Sequence, residues 1–149
     1  LYSIEKEPLG TGGAILEALN LINNNSCYVL NGDTFFDVNL SYLNLKDGKI
    51  CVALKHMVNF DRYGSVDIDK DGNIITFNEK KFIPDGLING GIYLISKDIF
   101  TPYKVNGKFS FEEFFQVNFL SLRAKACVFD DYFIDIGIPQ DYQMFIDIN

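Results

Sequence analysis

Two carboxylates sit where apolar strands run out. Asp33 closes the run "CYVLNGD" (27–33), and Asp135 lies in "YFIDIG" (132–137) among Phe133, Ile134 and Ile136. A carboxylate in such company is expensive to desolvate unless it is paired or bound to a metal. Ligands of open α/β sheets collect beyond the carboxyl ends of strands. Two strand-end carboxylates could therefore share one Mg²⁺, which takes hard oxygen ligands and keeps several waters. For Asp33 the alternative is ordinary turn chemistry, since Asn-Gly-Asp-Thr also caps turns. Glu79 and Lys80 close a strand-like segment. On a straight strand they face opposite sides, so both meet one ligand only if the backbone turns there; as an exposed pair they carry little. Tyr63-Gly64 precedes the same segment, and Asn89-Gly90-Gly91 interrupts a good strand, where glycine marks a bulge or a close approach.

A second glycine cluster lies in "EKEPLGTGGAILEAL" (5–19), where Pro8, Gly10, Gly12 and Gly13 precede an apolar face of Ile15, Leu16, Leu19 and Ile22. Glycine costs about 0.5–1 kcal/mol against alanine in ordered structure, so the cluster reports a tight turn or a close approach. A glycine loop feeding a helix N-terminus offers N–H groups to an anion or a polar ligand edge; a turn that needs glycine for packing alone gives the same pattern. It is neither a P-loop nor a dinucleotide fingerprint, because no Gly-Lys-Ser/Thr follows and Ile15 occupies the third glycine position.

These residues need elements to hold them. The pattern predicts helices over 14–24, 109–120 and from Pro139, and a helix-like turn over 40–46. It predicts strands over 27–33, 50–56, 87–96, 125–129 and 132–136. "SVDIDKDGNIITFNE" (65–79) alternates around Asp71-Gly72, a hairpin signal. Ser110 with Glu113 forms a capping box, and Phe109, Phe111, Phe114, Phe115 and Phe119 read as core or interface. Buried strands alternating with helices predict an α/β fold: a Rossmann-like mixed, mostly parallel sheet flanked by helices, with an inserted β-hairpin. At 149 residues the chain is one domain's worth. A net charge of −7 argues against a nucleic-acid or anionic-membrane surface. No apolar run approaches the length of a membrane span. Cys27, Cys51 and Cys127 are scattered in apolar company and read as buried reduced thiols of a cytoplasmic protein. His56, the single histidine, excludes a His-based metal cluster.

Taken in order, "EPLGTGGA", "LNGD", "RYGSV", "FNEK", "NGGIY" and "FIDIGIPQDY" resemble the successive motifs of the sugar-1-phosphate nucleotidylyltransferases. Within them the chain is most similar to the heptose-1-phosphate guanylyltransferases of bacterial surface-polysaccharide synthesis. The resemblance implies transfer of a nucleoside monophosphate from a nucleoside triphosphate, GTP here, to a sugar 1-phosphate. It implies Mg²⁺ held by Asp33 and Asp135, and Lys80 on the phosphate of the sugar. Glu79, Asn89 and Gly91 would meet sugar hydroxyls, with Tyr63 and Gly64 lining that pocket. Leu9, Gly10 and Gly13 would lie against the base, the glycines letting backbone groups reach it.

The resembled family opens with a strand and a Gly-Gly-x-Gly-Thr-Arg-Leu loop, followed by a Pro-Lys pair, which hold the triphosphate. Nothing in this chain matches that segment. Residues 1–149 are therefore expected to form one partial nucleotidyltransferase domain, truncated at its N-terminus and inactive alone. Uncovered central strands would favour a homodimer or another self-association. The competing expectation is a binding or structural module derived from the family that does not catalyse.

Overall fold

From Ile50 to Leu54 no side chain has any exposure to solvent. The strand that contains them is covered on both faces. Its alternate residues divide between two cores: Ile50, Val52 and Leu54 in one, Cys51 and Ala53 in the other. A strand sandwiched in this way reads as a continuous apolar run, as it does in the sequence.

The computed structural model describes residues 1–148. In chain order its elements are α1 (Gly10–Leu19), β1 (Ser26–Leu30), β2 (Thr34–Phe36), a 3-10 turn (Leu40–Tyr42), β3 (Ile50–Phe60), β4 (Val66–Ile68), β5 (Ile74–Phe77), β6 (Ile83–Ser96), α2 (Phe111–Asn118), β7 (Lys125–Phe129), β8 (Phe133–Asp135) and α3 (Pro139–Ile148). The main sheet has the order β1-β6-β3-β7, β4 and β5 form the expected hairpin, and β2 pairs with β8 in a separate ribbon. α1 and α2 supply the core on one face, with Leu19, Phe111, Phe114 and Phe115 buried there. Phe36 and Phe129 lead the cluster on the other. The mixed, helix-flanked α/β class is as the sequence predicts.

The expectation of a mostly parallel sheet is corrected. β1–β6 and β3–β6 are antiparallel, and only β3–β7 is parallel. The apolar runs were a sign of cover on both faces, and here helices and the β2–β8 ribbon provide it whatever the strand direction.

Local chemistry sets several boundaries. Ser110 caps α2 by accepting from the Glu113 amide at 3.3 Å. In the hairpin turn Asp69 accepts from the Asp71 and Asn73 amides, and the Asn73 side chain and backbone hold its carboxyl below the usual range. α1 starts at Gly10 and ends at Leu19, earlier at both ends than the apolar spacing predicts. All three cysteines are free, Cys51 buried and the other two half-buried. No helix among the described residues is long and apolar enough to cross a membrane.

Candidate functional site

β2 and β8 bring the two carboxylates together. Thr34 pairs with Asp135, and the Ile136 amide donates to the Asp33 carbonyl at 2.9 Å, so Asp33 and Asp135 flank one end of the ribbon. Gly137 lies between them. A Cβ there would stand 3.0 Å from Asp135 Oδ1 and 3.7 Å from Asp33 Oδ2, so both carboxylates reach one point that only glycine leaves open. This is a cradle of hard oxygen atoms. Among the described residues no group of three or more His, Cys, Asp or Glu side chains gathers to hold a metal. Two carboxylates are nevertheless the protein share that Mg²⁺ takes when substrate phosphates complete its shell, so the residues present fit that ion.

Asp135 is half-buried and well supported. The Gly137 amide donates to its Oδ1 at 2.9 Å, and the Tyr63 hydroxyl donates to its Oδ2 at 3.2 Å. Burial, with the negative charge of Asp135 beside it, pushes the Tyr63 phenol up to about 12, so it remains a donor at neutral pH. Arg62 stands 3.9 Å from the same oxygen but donates at 2.7 Å to Asp141, in the first turn of α3. That hydrogen bond holds the Arg62 guanidinium firmly in its charged form.

These groups open onto a cavity of about 490 Å³. Asp33, Asp135 and Arg62 line it. Tyr63, Gly64, Lys80, Asn89 and Gly91 line it as well, and α2 contributes Glu112 and Gln116. Lys80 is exposed and, among the described residues, has no ion-pair partner. Asn89 and Gly91 belong to a bulge: Val52 faces Tyr93 and Leu54 faces Asn89, so β6 carries extra residues opposite Ala53. Gly91 takes a left-handed φ of 72°. Asn89 shapes this bulge, accepting from the Gly91 amide at 3.0 Å and donating to the buried Tyr93 hydroxyl at 2.7 Å.

Four of the expected residues lie elsewhere. Glu79 is exposed and outside the cavity wall, because β5 ends at Phe77 and the turn presents Lys80 alone. Leu9, Gly10 and Gly13 are also outside it. The glycines there are closely packed: a Cβ on Gly10 would meet the Phe109 carbonyl oxygen at 2.6 Å, and one on Gly13 the Gly107 carbonyl oxygen at 2.6 Å. Hydrogen bonds from Phe109 N to Leu9 O, from Gly12 N to Phe109 O and from Phe111 N to Thr11 Oγ1 sew this turn to the start of α2.

Sequence reasoning passed over Arg62, Asp141, Glu112 and Gln116. Arg62 adjoins the Tyr63-Gly64 pair, and Asp141 is a first-turn acid after Pro139. Glu112 and Gln116 occupy i and i+4 of the phenylalanine-rich α2, and that spacing puts them on one face.

A family model described as nucleotidyl transferase matches residues 1–147. The chain is 61% identical over 145 residues to the D-glycero-alpha-D-manno-heptose 1-phosphate guanylyltransferase of Campylobacter jejuni, covering 97% of this chain and 65% of that protein. It is 44% identical to the enzyme of the same name from Aneurinibacillus thermoaerophilus, over 95% of this chain and 64% of the relative. Among solved structures it resembles HddC from Yersinia pseudotuberculosis complexed with GMP-PN, with a TM-score of 0.80 and 38% identity over 97% of this chain and 64% of HddC. The chain thus spans just under two thirds of the length of these relatives. By sequence and by fold it belongs to the nucleotidyl transferase family.

Proposed function

We propose that the protein in which this chain occurs transfers a guanylyl group from GTP to D-glycero-α-D-manno-heptose 1-phosphate, giving the nucleotide sugar and pyrophosphate for surface-polysaccharide synthesis in the cytoplasm. The observation that carries this reading is the convergence of Asp33 and Asp135 on Gly137, with both carboxylates in the wall of a cavity that also presents Lys80, Asn89 and Gly91. The names of the relatives support the base and the sugar.

In the reaction an oxygen of the sugar phosphate attacks the α-phosphorus of the nucleotide in line. That O–P bond forms as the bond from the α-phosphorus to the bridging oxygen breaks, and the electron pair leaves with pyrophosphate. Such transfers rest on positioning and charge neutralisation more than on covalent work by the protein. Lys80 meets the phosphate of the sugar, lowering repulsion between two anions that must approach. Asn89 and Gly91 shape the wall that the sugar hydroxyls face, with Tyr63 and Gly64 completing the pocket. Leu9, Gly10 and Gly13 would offer main-chain groups to the base. Asp33 and Asp135 would hold Mg²⁺, which when bound offsets negative charge on the phosphates. Self-association would act at the outer edge of β1, which ends the sheet and exposes Tyr28 and Leu30.

Pyrophosphate release from GTP and the heptose 1-phosphate, by the protein in which this chain occurs, tests the reading. Asp135→Asn should lower the rate at least about a hundredfold, since metal charge stabilisation contributes several kcal/mol and each 1.36 kcal/mol is tenfold. Turnover near the parent rate would sink the assignment of Asp135.

A further inference from the structure

Arg62 stands between two carboxylates and is bound to only one of them. Its Nη1 donates to Asp141 Oδ2 at 2.7 Å, while its Nη2 lies 3.9 Å from Asp135 Oδ2, beyond hydrogen-bond distance. The guanidinium carbon also sits 5.5 Å from the centre of the Tyr63 ring, whose hydroxyl holds that same Asp135 oxygen. The Asp141 side chain is 19% exposed and that of Asp135 28%, so neither carboxylate is freely hydrated and each is a strong partner for a nearby cation. We propose that Asp141 is a positioning residue: by holding Arg62 it keeps the guanidinium from closing a full ion pair on Asp135, and so leaves that carboxylate free for a divalent cation.

The inference rests on the proposed metal role of Asp33 and Asp135 but assigns something beyond it. Arg62 is the built-in competitor for the site, and the α3 N-terminus supplies the restraint. Asp141 is well placed for this, since a first-turn carboxylate is stabilised by its own helix and so does not depend on Arg62 for its position. Loss of the Asp141 charge should let Arg62 move onto Asp135, where it would have to be displaced before any divalent ion could enter.

The test is Mn²⁺ binding to the chain, followed by electron paramagnetic resonance over the millimolar range. Parent, Asp141→Asn, Arg62→Met and Asp61→Asn proteins are compared. Asp61 lines the neighbouring cavity with Arg62, Asp135 and Asp141, so Asp61→Asn removes one nearby negative charge without releasing the guanidinium. Asp141→Asn should weaken Mn²⁺ binding about tenfold, the size of one charge-assisted hydrogen bond. Asp61→Asn should weaken it less than twofold, and Arg62→Met should match or exceed the parent. Equal losses in Asp141→Asn and Asp61→Asn would reduce the effect to simple charge and overturn the proposal. Weaker binding in Arg62→Met would make Arg62 a support, not a competitor, and overturn it even if Asp141→Asn fails to fold. If the parent chain binds no Mn²⁺ at all, the metal reading itself falls and takes this inference with it.

Discussion

The glycines that open α1 and those that interrupt β6 are both clustered, and both stand where a side chain would collide with a neighbour. What they would collide with differs. At α1 the obstacles are the Phe109 and Gly107 carbonyls and the Phe109 ring, so the glycines let one protein segment lie on another. In β6, Gly90 lies under the Phe36 ring and the Ala53 carbonyl, while Gly91 turns its backbone left-handed beside Asn31 and joins the cavity wall. The first cluster closes a seam; the second bends a strand so that its polar groups face an open space. A run of glycines reports that something is close, and only the partner tells whether that something is the fold or a ligand.

The contrast predicts different failures. Gly10→Ala combines a left-handed φ of 69° with a carbonyl oxygen 2.6 Å from the new Cβ. Strain and overpacking together should destabilise the chain by about 2–4 kcal/mol in urea unfolding. A loss well below 1 kcal/mol would show that the seam at α1 relaxes freely and that its packing does not require glycine.

Lys80→Ala should do the opposite. Its side chain is exposed, so unfolding should be unchanged within about 0.5 kcal/mol. Affinity for the heptose 1-phosphate should instead fall by about 1.5–3 kcal/mol, roughly ten- to a hundredfold, as a charge-assisted phosphate contact is lost. In turnover the KM for the sugar phosphate should rise more than that for GTP. Equal sugar-phosphate affinity in both proteins would move Lys80 to the solvated surface.

The smallest effect concerns the support of Asp135. The Tyr63 phenol is raised from 10 to about 12 in the fold, mainly by burial. Between those values the unfolded chain has released the proton and the folded one keeps it. The stability tied to this proton is whole below pH 10 and drains away as pH climbs toward 12. Tyr63→Phe should therefore lose stability less steeply than the parent across that window. Parallel curves would mean that the hydroxyl is solvated like any other.

The sequence exposes what is local. Strand 125–129 is bounded by polar residues and is found at Lys125–Phe129; the Asp71-Gly72 turn and the Ser110 cap also announce themselves within a few residues. Asp33 and Asp135 were legible because each breaks an apolar run at its end, and a charge there demands a reason. Other features depend on which segments meet in space. β6 begins at Ile83, before Pro84 and Gly86, which read as strand breakers. Its pairing with β3 continues through them, Phe60 to Ile83 and Val58 to Asp85. Strand direction was hidden because apolar runs record cover on two faces and nothing about orientation. The Arg62–Asp141 bond joins residues 79 positions apart, and no pattern in either segment names the other.

The five wholly buried residues of β3 have a consequence for how this chain can drift over generations. None of Ile50 to Leu54 touches solvent, so no substitution there can be absorbed by water. Each side chain answers to one of two cores, and on the neighbouring strand any Cβ at Gly90 would come within 2.8 Å of the Ala53 carbonyl oxygen. An enlargement on one side or a deletion on the other must be met by a matching change across the sheet. The carboxylates and the lysine stand at strand ends and turns, where a new substrate can be accommodated by local exchange. The stretch without a single charged group is thus the one whose spelling has the least room to change, and it is what allows the charged ends to vary around it.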